Sequence, residues 1–175
     1  MRRSLPWLLL VLLAAGYGYA SGRDGGGGAS SSGASAAGAP RPAHVVRVVD
    51  GDTILVRVAG AKERVRLIGI DTPETVKPNT PVQCFGRAAS AAAHRMLDGR
   101  DVRLVGDVEA RDRYGRLLAY VYREPDRLFI NAELARRGFA RQLTIPPNVR
   151  FAERFRALVA QARRAQRGLW SACAR

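Results

Sequence analysis

The sequence predicts an α+β domain, mainly β, in which five short strands close a barrel and three helices pack around it. Apolar runs of strand length, several of them alternating, occur at residues 45–49, 53–58, 63–70, 101–105 and 116–122. A helical pattern falls between the third and fourth runs, and two more follow the fifth. That order is the one found in oligonucleotide/oligosaccharide-binding (OB-fold) barrels, and periodicity alone leaves other small barrels open.

Turn signals separate the first three strands. The turn Asp50-Gly51-Asp52 joins the first strand to the second, since an Asp-Gly dipeptide favours a tight turn. The third strand ends near Asp71, because the proline two residues later cannot pair within a sheet. Alternation places Arg66 on the same face as Ile68 and Ile70, so its guanidinium is expected to be partly buried beside an anion.

Spacing of apolar residues predicts the three helices. The first covers residues 85–97 and ends just before Gly99. The second begins at Asn131, a favoured N-cap residue, and ends at Gly138. The third has a buried stripe at residues 151, 155, 158, 162 and 165, with arginines mostly on its wet side.

The first quarter of the chain does not have the composition of a folded core. Residues 1–20 combine two early arginines with an apolar stretch and a small-residue site, the pattern of a signal peptide. An uncleaved N-terminal anchor stays open, although the apolar stretch is shorter than the ~20 residues of a usual membrane span. Residues 21–43, rich in Gly, Ala and Ser, predict a flexible linker. The folded domain is expected at residues 44–175, in a secreted or envelope-associated protein.

The charge of the chain favours a polyanionic partner. It contains 29 Lys and Arg against 15 Asp and Glu, a formal net charge of +14. A positive charge of this size attracts nucleic acid, although a high net charge can also do no more than keep a protein soluble. Within residues 44–175 the serines are Ser90 and Ser171 and the histidines are His44 and His94. These exclude a serine triad and a paired-histidine ribonuclease mechanism.

Cys84 and Cys173 are the two cysteines of the chain. Export would remove both from the reducing cytoplasm, so a disulfide is favoured over two free thiols. Closing so long a loop would stabilise the domain by roughly 4 kcal/mol in the chain-entropy description. Two cysteines at this spacing do not support a zinc site.

Three short motifs contain the residues suited to phosphodiester chemistry. They are Asp50-Gly51-Asp52-Thr53, residues 65–74, and Asp112-Arg113-Tyr114-Gly115-Arg116. Asp52 and Asp71 are hard oxygen ligands for Ca²⁺ or Mg²⁺, and Glu74 is a candidate base. Arg66 and Arg116 can bind a phosphate in bidentate fashion. Each motif alone is also typical of an ordinary turn or strand end, but their combination indicates a metal-dependent nuclease.

In this order, and with residues 117–122 and Gly168-Leu169-Trp170 after them, the motifs resemble the staphylococcal nuclease (thermonuclease) family. The resemblance spans residues 44–170. It implies an OB-fold barrel with three helices and a Ca²⁺-dependent endonuclease that hydrolyses DNA and RNA to 3′-phosphate products.

By motif position, the resemblance also implies roles for individual residues. Ca²⁺ would be bound by the side chains of Asp52 and Asp71 and by the backbone carbonyl of Thr72. The catalytic set would be Arg66, Glu74 and Arg116, and a terminal phosphate would contact Arg113 and Tyr114. The segment after Ala140 lacks the tyrosines that line the base pocket in the best-known member, which leaves nucleotide preference open.

Two other functions stay open. The first is a non-catalytic OB-fold module that only binds nucleic acid or protein. Family members of that kind typically lack the acidic and arginine set, which is present here. The second is an envelope protein whose basic face holds anionic polymers. The chain is expected to be a monomer without a protein partner, tethered to a membrane only if residues 1–20 stay uncleaved.

Overall fold

The computed structural model describes residues 39–75 and 78–173. The predicted signal peptide or anchor, and the linker as far as residue 38, lie outside the described residues. Among the helices of the described residues, none is long and apolar enough to span a membrane.

Seven strands and four helices form the described part of the chain. The strands are β1 (Arg41–Asp50), β2 (Thr53–Val58), β3 (Ala61–Leu67), β4 (Gly69–Asp71), β5 (Asp101–Val105), β6 (Leu117–Arg123) and β7 (Arg141–Leu143). The helices are α1 (Gly86–Leu97), α2 (Ile130–Arg136), α3 (Ala152–Arg164) and α4 (Leu169–Ala172). Five strands close a barrel in the order β1-β2-β3-β6-β5, which confirms the predicted OB-fold with α1 between its third and fourth barrel strands.

The first strand begins earlier than predicted. Arg41, Pro42 and Ala43, which by composition belong to the linker, pair with β5, and Ala43 lies opposite Val102. Ala43 is buried, so pairing with β5 recruits a stretch whose composition alone is typical of a linker.

The predicted third strand is divided in two. Gly69 has a φ of +84°, and the chain turns there from β3 in the barrel to β4, which pairs with β7 outside it. A Cβ atom at Gly69 would lie 2.2 Å from Cε2 of Phe155 on α3. Both the positive φ and the close ring require glycine at this position.

Gly69→Ala is expected to destabilise the domain by about 2–4 kcal/mol, from left-handed strain together with displacement of Phe155. Gly60→Ala is the matched control, because Gly60 has a φ of +82° but no atom within 4 Å of the position that an added methyl group would take. Denaturant unfolding of both variants would separate the two contributions. Equal losses at Gly69 and Gly60 would contradict a role for the Phe155 contact.

The second helix is capped differently from the prediction. It begins at Ile130, after Phe129 at the N-cap position, and Asn131 lies fully buried inside the helix. The Asn131 side chain accepts the amide of Val121 at 2.9 Å and donates to the carbonyl of Ile68 at 2.9 Å. Asn131 therefore holds the barrel strand β6 and the end of β3 together, which a helix-cap interpretation misses.

A disulfide between Cys84 and Cys173 joins two ends of the domain that are 89 residues apart in sequence. It ties the residue two before α1 to the residue after α4. Phe85 stacks on Phe139 with ring centroids 5.6 Å apart, next to this bridge. The disulfide favoured from the predicted export of the chain is thus present in the structure.

Candidate active site

A cleft of about 480 Å³ lies beside the end of β3, the strand β4 and the turn before β6. Arg66 and Arg116 both line this cleft. Parallel pairing explains their proximity: Val65 lies opposite Leu117, so Arg116, just before β6, is brought next to the strand that carries Arg66. Two arginines that are 50 positions apart in sequence therefore share one opening.

Arg66 connects the cleft to a pair of carboxylates. Its Nη2 donates to Oδ1 of Asp71 at 2.9 Å and lies 3.3 Å from Oδ2 of Asp52. Its Nη1 donates to the carbonyls of Leu67 and Ile70 at 2.9 and 2.8 Å. The Arg66 side chain is 13% exposed, which agrees with the burial and anionic partner that strand alternation predicts.

Asp52 is held in place by the end of β4. Its Oδ2 accepts the amide and the hydroxyl of Thr72 at 2.8 and 3.0 Å, and its Oδ1 accepts the Thr53 hydroxyl at 3.1 Å. A Cβ at Gly51 would lie 2.7 Å from the Thr72 hydroxyl oxygen, so the Asp-Gly turn permits this close packing. Arg66 therefore contacts both Asp52 and Asp71, and Thr72 contacts Asp52.

Carboxyl groups crowd this end of the barrel. Burial raises the pKa of Asp71; Arg66 opposes the rise, while the Asp52 carboxylate adds to it. Burial also raises the pKa of Asp50, with the Glu74 carboxyl adding to the rise and the Thr75 hydroxyl opposing it. A cation placed among these groups would stabilise their ionised forms.

Glu74 lies on the segment that follows β4. Its amide donates to Oε1 of Gln83 at 3.0 Å, and its carbonyl accepts the Gln83 amide at 3.0 Å. Its Oε1 accepts the Thr75 amide at 3.0 Å. Two hydrogen bonds with Gln83 thus fix the backbone of Glu74 close to Asp50.

Arg116 is oriented by Asp112 across the turn before β6. Its Nε donates to Oδ2 of Asp112 at 2.7 Å, and Oδ1 of Asp112 accepts the amides of Tyr114 and Arg116 at 2.9 and 3.0 Å. Burial would raise the pKa of Asp112, but the bonds from Arg116 and the two amides lower it. Among the described residues, the two terminal nitrogens of Arg116 have no hydrogen-bond partner, which leaves them available to a ligand.

Tyr114 and Arg113 line the same cleft. The guanidinium of Arg113 lies 4.9 Å from the centroid of the Tyr114 ring, and that of Arg116 lies 5.5 Å from it. Arg113 also donates to the Tyr114 hydroxyl at 2.7 Å, while the Tyr114 side chain stays largely exposed. This turn therefore offers cationic groups and an aromatic face to a single ligand.

Comparison with known proteins shows the family of this chain. The family model described as "Staphylococcal nuclease homologue" matches residues 64–172. A thermonuclease of Staphylococcus hyicus is 46% identical over 127 residues, which cover 73% of this chain and 74% of that protein. A thermonuclease of Staphylococcus intermedius is 52% identical over 120 residues, 69% of this chain and 68% of that protein.

The chain belongs to the staphylococcal nuclease family. An endonuclease of Bacillus subtilis is also similar, at 39% identity over 127 residues, 71% of this chain and 59% of that protein. Membership in the staphylococcal nuclease family confirms the resemblance seen in the three motifs.

Sequence reasoning missed two residues of this candidate site. Asp112 lies within a motif that gives it no role of its own, although its spacing of four from Arg116 was a signal for an ion pair. Gln83 carried no signal, because its contacts are to backbone groups of a residue nine positions away. Asp112 contacts Arg116 and Gln83 contacts Glu74, and both partners are candidate catalytic residues.

Proposed function

We propose that this chain is a Ca²⁺-dependent endonuclease that hydrolyses phosphodiester bonds of DNA and RNA to 3′-phosphate products. The observation that carries the proposal is that Arg66 and Arg116 line one cleft while Arg66 also contacts Asp52 and Asp71. Membership in the staphylococcal nuclease family and its thermonuclease relatives support it.

The donor set near Arg66 fits a calcium ion. Asp52, Asp71 and the backbone carbonyl of Thr72 would hold it, because hard oxygen donors are the ligands that Ca²⁺ prefers. Within residues 39–75 and 78–173, no group of three or more His, Cys, Asp or Glu side chains is placed to bind a metal, so water would complete the coordination. When bound, Ca²⁺ supplies positive charge to the phosphate oxygens that become negative during attack. A site with two carboxylates binds weakly and suits calcium-rich surroundings.

The two arginines stabilise the charge that develops on the phosphate. Attack by water builds negative charge on the non-bridging oxygens, and guanidinium groups aimed at those oxygens stabilise the transition state more than the substrate. Arg116 is suited to this role because Asp112 fixes its Nε and leaves its terminal nitrogens available. Arg66 is suited because four oxygen atoms hold its guanidinium in one orientation.

Glu74 is proposed as the general base that takes a proton from the attacking water. A positioned base contributes roughly 10² to 10⁴ in rate. The paired bonds with Gln83 hold the Glu74 backbone in place. As the new P–O bond forms, the bond to the 5′ oxygen breaks, and solvent water supplies the proton that this oxygen gains. Arg116 acts by charge and not as an acid, since a guanidinium is a poor proton donor near neutral pH.

Substrate binding is assigned to Arg113 and Tyr114, which would contact a terminal phosphate at the edge of the cleft. Leu143 and Ile145 also line the cleft and offer aliphatic surface to a base. The secreted or envelope-associated location rests on the export pattern of residues 1–20, and the Cys84–Cys173 bridge is consistent with an oxidising compartment. The nuclease is proposed to act as a monomer.

Calcium dependence is tested with the purified full chain and single-stranded DNA. We expect cleavage with Ca²⁺ and its loss with a chelator, because Asp52 and Asp71 bind the ion required for turnover. Asp52→Asn is expected to raise the Ca²⁺ concentration for half-maximal activity by about tenfold or more, since it removes one ligand charge. Asp126→Asn, which changes an exposed carboxylate paired with Arg123, is the control and should leave the requirement unchanged.

The alternative, a non-catalytic OB-fold module, gives a different result in the same experiment. Folded protein that binds DNA at saturating Ca²⁺ without cleaving it, with Asp52→Asn having no effect, would favour that module over the nuclease.

A further inference from the structure

The strand β7 leads out of the cleft toward a second group of cations. Leu143 lines the cleft, and Arg141 lies two residues before it on the same face of the strand. Residues two apart in a strand are separated by about 6.6–6.8 Å along the strand. Arg141 pairs with Asp71 in the β4–β7 register and is exposed, so it stands beside the carboxylates of the site but at the surface.

Arg141 and Arg163 meet at one aromatic ring. Their guanidinium groups lie 5.9 and 5.6 Å from the centroid of Trp170, which reaches them from α4. Within the described part of the chain, neither arginine forms an ion pair with a carboxylate. Arg66 and Arg116, by contrast, each have a carboxylate partner. Asp71, opposite Arg141 in the β4–β7 register, offsets part of the charge of Arg141. The two like charges on one ring still repel each other, and an anion bound between them would relieve that repulsion.

We propose that Arg141, Trp170 and Arg163 form a track that binds the phosphates of a single-stranded nucleic acid outside the cleft, beyond the cleaved bond. This inference rests on the proposed nuclease function. The indole holds both guanidinium groups by cation–π contacts, and a guanidinium held in this way presents its N–H edge to a phosphate. Cations beside an aromatic ring are also a common arrangement in proteins that bind single-stranded nucleic acid. The track adds affinity for long strands without taking part in bond cleavage.

The test measures binding without cleavage. Labelled deoxythymidine 20-mer is titrated with the full chain in chelator, and fluorescence anisotropy follows the Kd over a range of salt concentrations. The double variant Arg141→Gln/Arg163→Gln is expected to raise the Kd about tenfold. The slope of log affinity against log salt should fall by about 1.4, since each single-strand phosphate contact contributes about 0.7. A labelled thymidine mononucleotide, which is smaller than the cleft, should lose no affinity.

The matched control removes the same charge elsewhere. Arg57→Gln/Arg95→Gln changes two exposed arginines that do not line the cleft, and it should leave both Kd and slope nearly unchanged. Arg163→Gln alone guards against a folding defect at Trp170, because Arg163 is an exposed residue in the last turn of α3. It should fold normally, as checked by thermal unfolding, and lower the slope by about 0.7.

Wild-type affinity and slope in Arg163→Gln and in the double variant would overturn the track. Equal losses for the mononucleotide and the 20-mer, or for the control pair, would also overturn it, since they would reflect overall charge. Because no step of this test needs calcium or turnover, it is independent of the nuclease assay. A protein that shows the track but cleaves nothing would refute the proposed function and leave the track standing.

Discussion

Arg116→Ala is expected to lower kcat by about 10³-fold or more while the domain stays folded. Arginines that stabilise a transferring phosphoryl group contribute on the order of 10³ to 10⁵ in rate. The side chain of Arg116 is bound by Asp112 and Tyr114 in a turn at the surface of the barrel, so its removal costs little packing. Turnover of single-stranded DNA at saturating Ca²⁺, together with thermal unfolding, would measure both effects.

Arg111→Ala is the control for this experiment. Arg111 lies five residues before Arg116 but pairs with Glu63, and it does not line the cleft. Its replacement should leave kcat near the wild-type value. Arg116→Lys should recover only part of the activity, because an ammonium group keeps the charge but not the fork. Ordinary turnover in Arg116→Ala would refute the role assigned to this residue.

Replacement of Arg66 is expected to lower kcat as much as replacement of Arg116, and also to lower the stability of the domain. Arg66→Ala would remove the positive charge beside Asp52 and Asp71 and the donor to two carbonyl oxygens, and unpaired buried groups are costly. A loss of activity in that variant would therefore mix chemistry with folding. The comparison of Arg116→Ala with Arg111→Ala is the cleaner test of the arginine mechanism.

Removal of the disulfide is expected to have the largest effect on stability. The paired substitution Cys84→Ala/Cys173→Ala opens a loop that spans 89 positions, and the chain-entropy relation gives a loss of about 4–5 kcal/mol in the free energy of unfolding. Urea unfolding of the wild type with and without a thiol reductant, and of the double variant, would measure this loss.

The double variant provides its own control, since a reductant should leave its unfolding midpoint unchanged. Below its unfolding transition it should still cleave DNA, because neither cysteine lines the cleft. Equal stability of the oxidised wild type and the double variant would contradict a stabilising role for the bridge.

Local pattern was enough to predict most of the barrel. Alternation located β2 and β5 with the observed bounds, and the apolar stripe located α3. Features that depend on distant partners were missed. Residues 41–43 pair because β5 accepts them, the third strand bends because Phe155 occupies the space beside Gly69, and β7 forms because β4 is turned toward it.

In the candidate site, too, local sequence pattern identified some residues and missed others whose contacts are distant in sequence. Residues with distinctive chemistry in motifs, such as Arg66 and Asp71, were identified from sequence, and the structure brings these two into contact. Asp112 and Gln83, which contact Arg116 and Glu74, were missed; the spacing of Asp112 from Arg116 was a signal, whereas no local pattern reveals the contacts of Gln83. The roles in calcium binding and catalysis stay predictions, as do the signal peptide or anchor at residues 1–20 and the linker at residues 21–43.

The parallel pairing of β3 with β6 makes catalysis a reporter of refolding. A fragment that ends before residue 100 contains β1, β2 and β3, yet it has one of the two arginines proposed to stabilise the charge on the phosphate. The second arginine arrives when a segment 50 positions downstream docks against β3. Recovery of cleavage after dilution from denaturant would therefore time the closure of the barrel, and ring-closing events of this kind are slow compared with the formation of local hairpins.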